Sequence, residues 1–177
     1  MKRAVFLDRD GVINRAVVRN GKPYPPASLA AFELLPGVVE AVAALRAAGY
    51  LIVVTTNQPD VATGKQSREV VDAMHDRLRR ALAVDDIRVC FHVDADGCRC
   101  RKPLPGMLLE AAREWDIELA ASFMVGDRWR DIAAGQAAGC RTLFIDYGYA
   151  EPRPEAPDRL VDSLLAASRW ILAESGA

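Results

Sequence analysis

Ala4-Val5-Phe6-Leu7-Asp8-Arg9-Asp10-Gly11 is the stretch that decides the fold. Four consecutive apolar residues fit a strand buried on both faces, since such a strand has no polar side to show. Two carboxylates follow at once. In extended chain, residues two apart project to the same side, so Asp8 and Asp10 can share one small region. Gly11 then lets the backbone turn. Two readings are open. The stretch is either a solvated turn in which Arg9 balances the acids, or one site where the acids serve as nucleophile and proton carrier.

Outward from this stretch, strands and helices alternate. Pro36-Gly37 opens a helical run with Val38, Val39, Val42, Leu45 and Ala48 at helical spacing, and Gly49 closes it. Leu51-Ile52-Val53-Val54-Thr55 reads as a second strand. Ser67 can cap a helix with Val70, Val71, Met74, Leu78 and Leu82 on one face. Strands are expected at 87–91, 123–125 and 142–145, and helices at 106–115, 131–138 and 158–173. This order predicts an α/β three-layer sandwich of Rossmann type, with a mostly parallel sheet. Such sheets bind ligands beyond the carboxyl ends of their strands. Residues 14–35 contain Pro23, Pro25 and Pro26 but no clear helix, and a loop of that length beside a strand end is more often functional than idle. Residues 151–157 read as a stiff linker.

Composition narrows the function. At 177 residues and 51% hydrophobic side chains, the chain can bury a sizeable core as one domain spanning 1–177. Lys and Arg number 23 against 24 Asp and Glu, so there is no basic footprint for nucleic acid. An anionic substrate must then be held by a few placed groups. No apolar stretch approaches the roughly 20 residues of a membrane span. The N-terminal segment meets charge too soon for a signal h-region. The expectation is a cytoplasmic protein, monomeric by default, with no membrane or nucleic-acid partner.

Further chemistry falls at later strand ends. Thr56-Asn57 offers a hydroxyl and an amide to a phosphoryl oxygen. Arg101-Lys102 offers two cations. Gly126-Asp127 offers a third carboxylate, and Asp131 a fourth one helical turn on. Alone, each has a plain reading: threonine belongs in strands, a basic pair is usually solvated, and Asp127 fits a helix N-terminus. Phosphate monoesters suit the set, because their hydrolysis needs up to ~10²¹-fold acceleration. A nucleophilic carboxylate splits that barrier through an acyl phosphate. It also needs a cation such as magnesium to offset anion repulsion.

The ordered set Asp8-Arg9-Asp10-Gly11, Thr56, Lys102-Pro103 and Gly126-Asp127…Asp131 resembles the haloacid dehalogenase (HAD) superfamily of phosphatases over nearly the whole chain. The resemblance implies that Asp8 is the nucleophile and Asp10 the acid and base. Thr56 and Lys102 would hold the phosphoryl group. Asp8, the Asp10 carbonyl and Asp127 would bind Mg2+. Asp131 would orient Lys102 or its surroundings.

The cysteines add a second metal. Cys90, His92, Cys98 and Cys100 place three thiolates and an imidazole in one short loop, a ligand set suited to tetrahedral structural Zn2+. The plainer alternative is a loop with free thiols. Zinc would pin loop 90–100 and so order Arg101 and Lys102. Cys140 reads as a small buried residue, and His75 as a surface or core residue.

With this loop, the motifs Asp8–Asn14, Thr56-Asn57-Gln58 and Arg101–Met107 look like the D-glycero-D-manno-heptose 1,7-bisphosphate phosphatase family, related to the histidinol-phosphatase domain. That family removes the 7-phosphate, in heptose metabolism feeding cell-surface polysaccharide. By this resemblance Asn57, Arg101 and Arg128 would contact a phosphorylated sugar. The chain departs from the family at Pro59-Asp60-Val61, where Ser-Gly-Ile is common, and at Lys22-Pro23-Tyr24-Pro25-Pro26. No insertion reaches the size of a large cap domain. The alternatives are a histidinol-phosphate or other small phosphomonoester phosphatase, and, in another class, a non-catalytic zinc-loop binding module. The complete set of acids, hydroxyl and lysine argues for chemistry.

Overall fold

Residues Arg3–Leu7 form β1, whose last four side chains are all buried. In the computed structural model, which describes residues 1–176, the strands that follow are β2 (Val17–Arg19), β3 (Lys22–Tyr24), β4 (Tyr50–Asn57), β5 (Asp86–Cys90), β6 (Phe123–Gly126), β7 (Arg141–Ile145) and β8 (Arg159–Val161). Six of them make one sheet in the order β5-β4-β1-β6-β7-β8, every pair parallel. The helices are α1 (Val38–Ala47), α2 (Arg68–Ala81), α3 (Gly106–Trp115), α4 (Trp129–Ala138) and α5 (Leu164–Ser175).

The apolar run in β1 serves two cores at once. Val5 and Leu7 pack with Ile52, Val54 and Val125 against α1, α2 and α5. Ala4 and Phe6 point the other way and pack with Val53 and Met124 against α3 and α4. Period-two alternation thus sends apolar side chains to both faces, which is why no polar residue interrupts these strands. Cys140 lies buried in the second of these cores. The result is the expected three-layer α/β architecture.

Three local expectations change. The last helix was expected over 158–173, but Arg159–Val161 forms β8 and α5 starts at Leu164. Asp158 does not cap a helix. Its carboxylate accepts from the Thr142 amide at 2.7 Å and the Thr142 hydroxyl at 3.0 Å, which ties the chain to β7 and leaves Ser163 to cap α5. Residues 14–35 are ordered rather than plain loop. β2 and β3 form an antiparallel hairpin turned by Asn20-Gly21, both at positive φ, a pair suited to a tight hairpin turn. Finally, α4 starts at Trp129, so Asp131 falls in its first turn and accepts from the Arg128 amide at 3.0 Å. Among the described residues, no helix is long and apolar enough to cross a membrane.

α4 lies very close to the sheet. A Cβ on Gly135 would stand 2.7 Å from Met124 Cβ and 2.8 Å from Thr142 Cγ2. Alanine favours helices over glycine by about 1 kcal/mol, yet here overpacking wins. Gly135→Ala is expected to destabilise the protein by about 1–3 kcal/mol in urea unfolding; a stabilised variant would show that α4 can move away at no cost.

Candidate active site

The parallel sheet puts the carboxyl ends of its strands on one side, and the polar residues gather there. β1 leads into Asp8, β4 carries Thr56 and Asn57, and β6 leads into Asp127. Lys102 arrives from the loop between β5 and α3. Its buried Nζ donates to Asp8 Oδ1 at 2.8 Å and Thr55 O at 2.7 Å, and pairs with Asp131 Oδ1 at 2.6 Å. Three acceptors thus meet three ammonium protons. Burial opposes the Lys102 charge, but Asp131 and Asp8 outweigh it and hold the pKa above the usual lysine value. Asn57 clamps the Lys102 backbone, accepting from its amide at 3.1 Å and donating to its carbonyl at 3.0 Å.

Asp8, Asp127 and Asp131 are all buried, with carboxylate oxygens within 4.8 Å of one another. Burial pushes Asp8 up to about 6, and Asp131 adds to this while Lys102 opposes it. Burial also drives Asp127 well above the ordinary carboxylate value, with Asp8 and Asp131 adding repulsion. Asp131 is committed, to Lys102 through Oδ1 and to the Arg128 amide through Oδ2. Asp127 is not: Oδ2 accepts from the Tyr149 hydroxyl at 3.0 Å, whereas Oδ1 is buried without a partner. Gly11 makes room for this carboxylate, since a Cβ there would stand 1.9 Å from Asp127 Oδ2. An orphaned buried oxygen among repelling carboxylates fits a hard divalent cation, with Asp8 and Asp127 as oxygen donors.

Asp10 is held from several sides. It accepts from Arg9 Nε at 3.1 Å and Nη2 at 3.0 Å, Asn14 Nδ2 at 2.9 Å and Gln58 Nε2 at 2.8 Å. Arg9 is wholly buried, which excludes the solvated-turn reading. Its Nη1 lies 3.0 Å from His75 Nε2. Burial, then the Arg9 charge, pushes the His75 pKa down to about 4, so His75 is neutral and accepts this bond near pH 7. His75 is thus a core residue that braces Arg9. The buried Thr56 hydroxyl accepts from Gln58 Nε2 at 2.9 Å.

A cavity of about 340 Å³ opens over these groups, lined among others by Asp8, Asp10, Lys22, Tyr24, Arg101 and Arg130. Asn57 and Arg128 also line it. Arg101 pairs with Asp94 at 2.6 Å, and Arg130 reaches the same carboxylate at 3.2 Å. Arg128 is paired with Glu151 at 2.9 Å. On the neighbouring loop, Cys90, His92, Cys98 and Cys100 converge. Their sulfur–sulfur distances are 3.1, 3.5 and 3.7 Å, and His92 Nδ1 lies 3.4 Å from Cys100 and 3.6 Å from Cys90. Zn–S bonds of about 2.3 Å and Zn–N bonds of about 2.0 Å in a tetrahedron imply separations of about 3.8 and 3.5 Å. These four groups could hold zinc.

A model of the haloacid dehalogenase-like hydrolases matches residues 26–139. The chain belongs to that family. Among curated relatives, D-glycero-beta-D-manno-heptose-1,7-bisphosphate 7-phosphatase of Bordetella bronchiseptica is 37% identical, across 98% of this chain and 99% of the relative. The Pseudomonas aeruginosa protein of that name is 35% identical, across 95% and 97%. A crystal structure of D,D-heptose 1,7-bisphosphate phosphatase from B. bronchiseptica, complexed with magnesium and phosphate, superposes with a TM-score of 0.84 at 36% identity, covering 97% of this chain and 99% of that one.

Sequence reading of this HAD-like hydrolase passes over Arg130, Tyr149 and Glu151, and gives His75 no part in the site. Arg130 sits one residue before Asp131, and its position on the first turn of α4 could have marked it. Tyr149 and Glu151 lie beyond β7, with no motif to single them out.

Asp8 sets the sign of a pH effect. Its folded pKa of about 6 lies above the ordinary 3.8, so the folded state holds this proton more tightly. The group therefore weakens the metal-free fold as pH rises from the unfolded value through the folded one, and the loss is complete above about 6. Thermal melts from pH 4 to 8 should show Asp8→Asn gaining on wild type across that window and then levelling off; a pH-independent difference would contradict the raised pKa.

Proposed function

We propose that this HAD-like hydrolase is a magnesium-dependent phosphatase that removes the 7-phosphate of D-glycero-D-manno-heptose 1,7-bisphosphate through an aspartyl phosphate on Asp8. The observation that carries the reading is Lys102: its ammonium holds Asp8 Oδ1 at the floor of a cavity whose rim carries Arg101 and Arg130. A substrate with one reacting and one remote anionic group matches that distribution of charge, because guanidinium groups suit phosphate recognition. The full-length similarity to proteins carrying that name supports the choice of sugar.

In this reading, the free oxygen of Asp8 attacks phosphorus, and the bond from phosphorus to the sugar oxygen breaks. The Thr56 hydroxyl steadies the transferring group, and the Lys102 charge offsets the negative charge gathered there. Asp10, positioned by Arg9, Asn14 and Gln58, gives a proton to the leaving sugar oxygen. It then takes one from the water that splits the acyl phosphate, releasing inorganic phosphate and restoring Asp8. Magnesium, held by Asp8, Asp127 and the Asp10 carbonyl, would neutralise charge between carboxylate and phosphate. Asn57 acts by fixing Lys102, and Arg101 and Arg128 face the rest of the substrate. Zinc on Cys90, His92, Cys98 and Cys100 would have a structural role, anchoring the loop that delivers Arg101 and Lys102.

Phosphate release with magnesium tests the reading. Heptose 1,7-bisphosphate should be turned over faster than histidinol phosphate, and Asp8→Asn should lose at least ~10³-fold in kcat. Preference for histidinol phosphate would overturn the substrate, and equal rates for wild type and Asp8→Asn would overturn the chemistry. For zinc, elemental analysis of protein purified without chelator should find about one ion per chain; a content near zero would remove zinc from the proposal.

A further inference from the structure

We propose that Tyr149 is a positioning residue of the metal centre: its hydroxyl fixes Oδ2 of Asp127 and thereby turns Oδ1 toward a divalent cation. The inference rests on the magnesium reading above and adds a residue that no motif marks.

Asp127 has two chemically equivalent oxygens, and the site makes them different. Oδ2 accepts from Tyr149 at 3.0 Å, and Oδ1 is buried with no partner. Gly11 offers no side chain to hold the carboxylate, and Oδ2 packs into the space that a Cβ there would take. Tyr149 is thus the hydroxyl that sets the carboxylate's rotation. The direction of the bond is fixed too. The Tyr149 hydroxyl donates and Asp127 Oδ2 accepts. An ionised carboxylate can only accept.

The loop bearing Tyr149 is itself tied down. The Tyr147 hydroxyl donates to the Gly11 carbonyl at 2.9 Å, and the Tyr147 and Tyr149 rings lie 5.5 Å apart. The Ala150 amide donates to the Gly21 carbonyl at 2.8 Å, at the tip of the β2–β3 hairpin. Glu151 pairs with Arg128, one residue after Asp127. The hydroxyl is therefore presented from a braced segment, as expected of a group that orients a metal ligand.

The test is Mn2+ binding to substrate-free protein, followed by electron paramagnetic resonance. Tyr149→Phe, which keeps the ring and removes the donor, is expected to raise the Mn2+ Kd about tenfold. Tyr147→Phe removes the other hydroxyl anchor of the same loop and should stay within about twofold. Near-wild-type melting of the metal-free Tyr149→Phe protein would exclude loss of the fold, and Tyr149→His, which retains an N–H donor, should recover part of the affinity. An unchanged Kd in Tyr149→Phe overturns the proposal. So does equal weakening by Tyr147→Phe, which would assign the effect to a loosened loop. A wild-type protein that binds no Mn2+ would overturn the magnesium reading itself, a result distinct from either.

Discussion

Three buried carboxylates, Asp8, Asp127 and Asp131, crowd the carboxyl ends of two neighbouring strands, and the ammonium of Lys102 reaches two of them. Much of the surrounding structure answers to that repulsion. Lys102 comes from a loop, so it needs anchors outside the sheet; Asn57 takes both its backbone groups, and the cysteine-rich segment lies just ahead of it. Asp131 takes a second partner at the start of α4, which leaves the helix end and the lysine sharing one carboxylate. Of the three, Asp127 keeps a fully buried oxygen with no partner. The imbalance is costly in an empty site and useful in one that receives a cation and then an anion.

Around Asp10 the logic is reversed. Donors from Arg9, Asn14 and Gln58 surround it, and the guanidinium that supplies two of those contacts is buried and leans on a neutral histidine from α2. Neighbouring carboxylates two residues apart thus sit in opposite surroundings, one crowded by like charge and one ringed by N–H groups.

The division between what the sequence displays and what it hides follows contact range. β1, β4 and β6 are readable because a strand covered on both faces must be apolar throughout, and Asp8, Thr56 and Asp127 are readable because they stand where such strands end. β8 is not, since it has three residues, and Asp158, at the start of the helix expected over 158–173, is drawn to Thr142 instead. The hairpin at 17–24 is obscured by Pro23 within it and Pro25 and Pro26 just after it, although Asn20-Gly21 is a local turn signal. Tyr149, Glu151 and His75 act on Asp127, Arg128 and Arg9 across 22, 23 and 66 residues. No local pattern encodes a bond of that span, so only the folded chain exposes it.

The cavity walls have two separate origins. Its floor is contributed by strand ends, the lysine loop and α4, where a shift of one residue would disturb the packing of the whole sheet. One side of its mouth is a single contiguous run, Lys22-Pro23-Tyr24-Pro25, carried on a hairpin outside the main sheet. The two halves can therefore change at different rates over generations. Side-chain changes along that short run would refit the doorway to another molecule, provided the Gly21 carbonyl keeps its hold on the Ala150 amide.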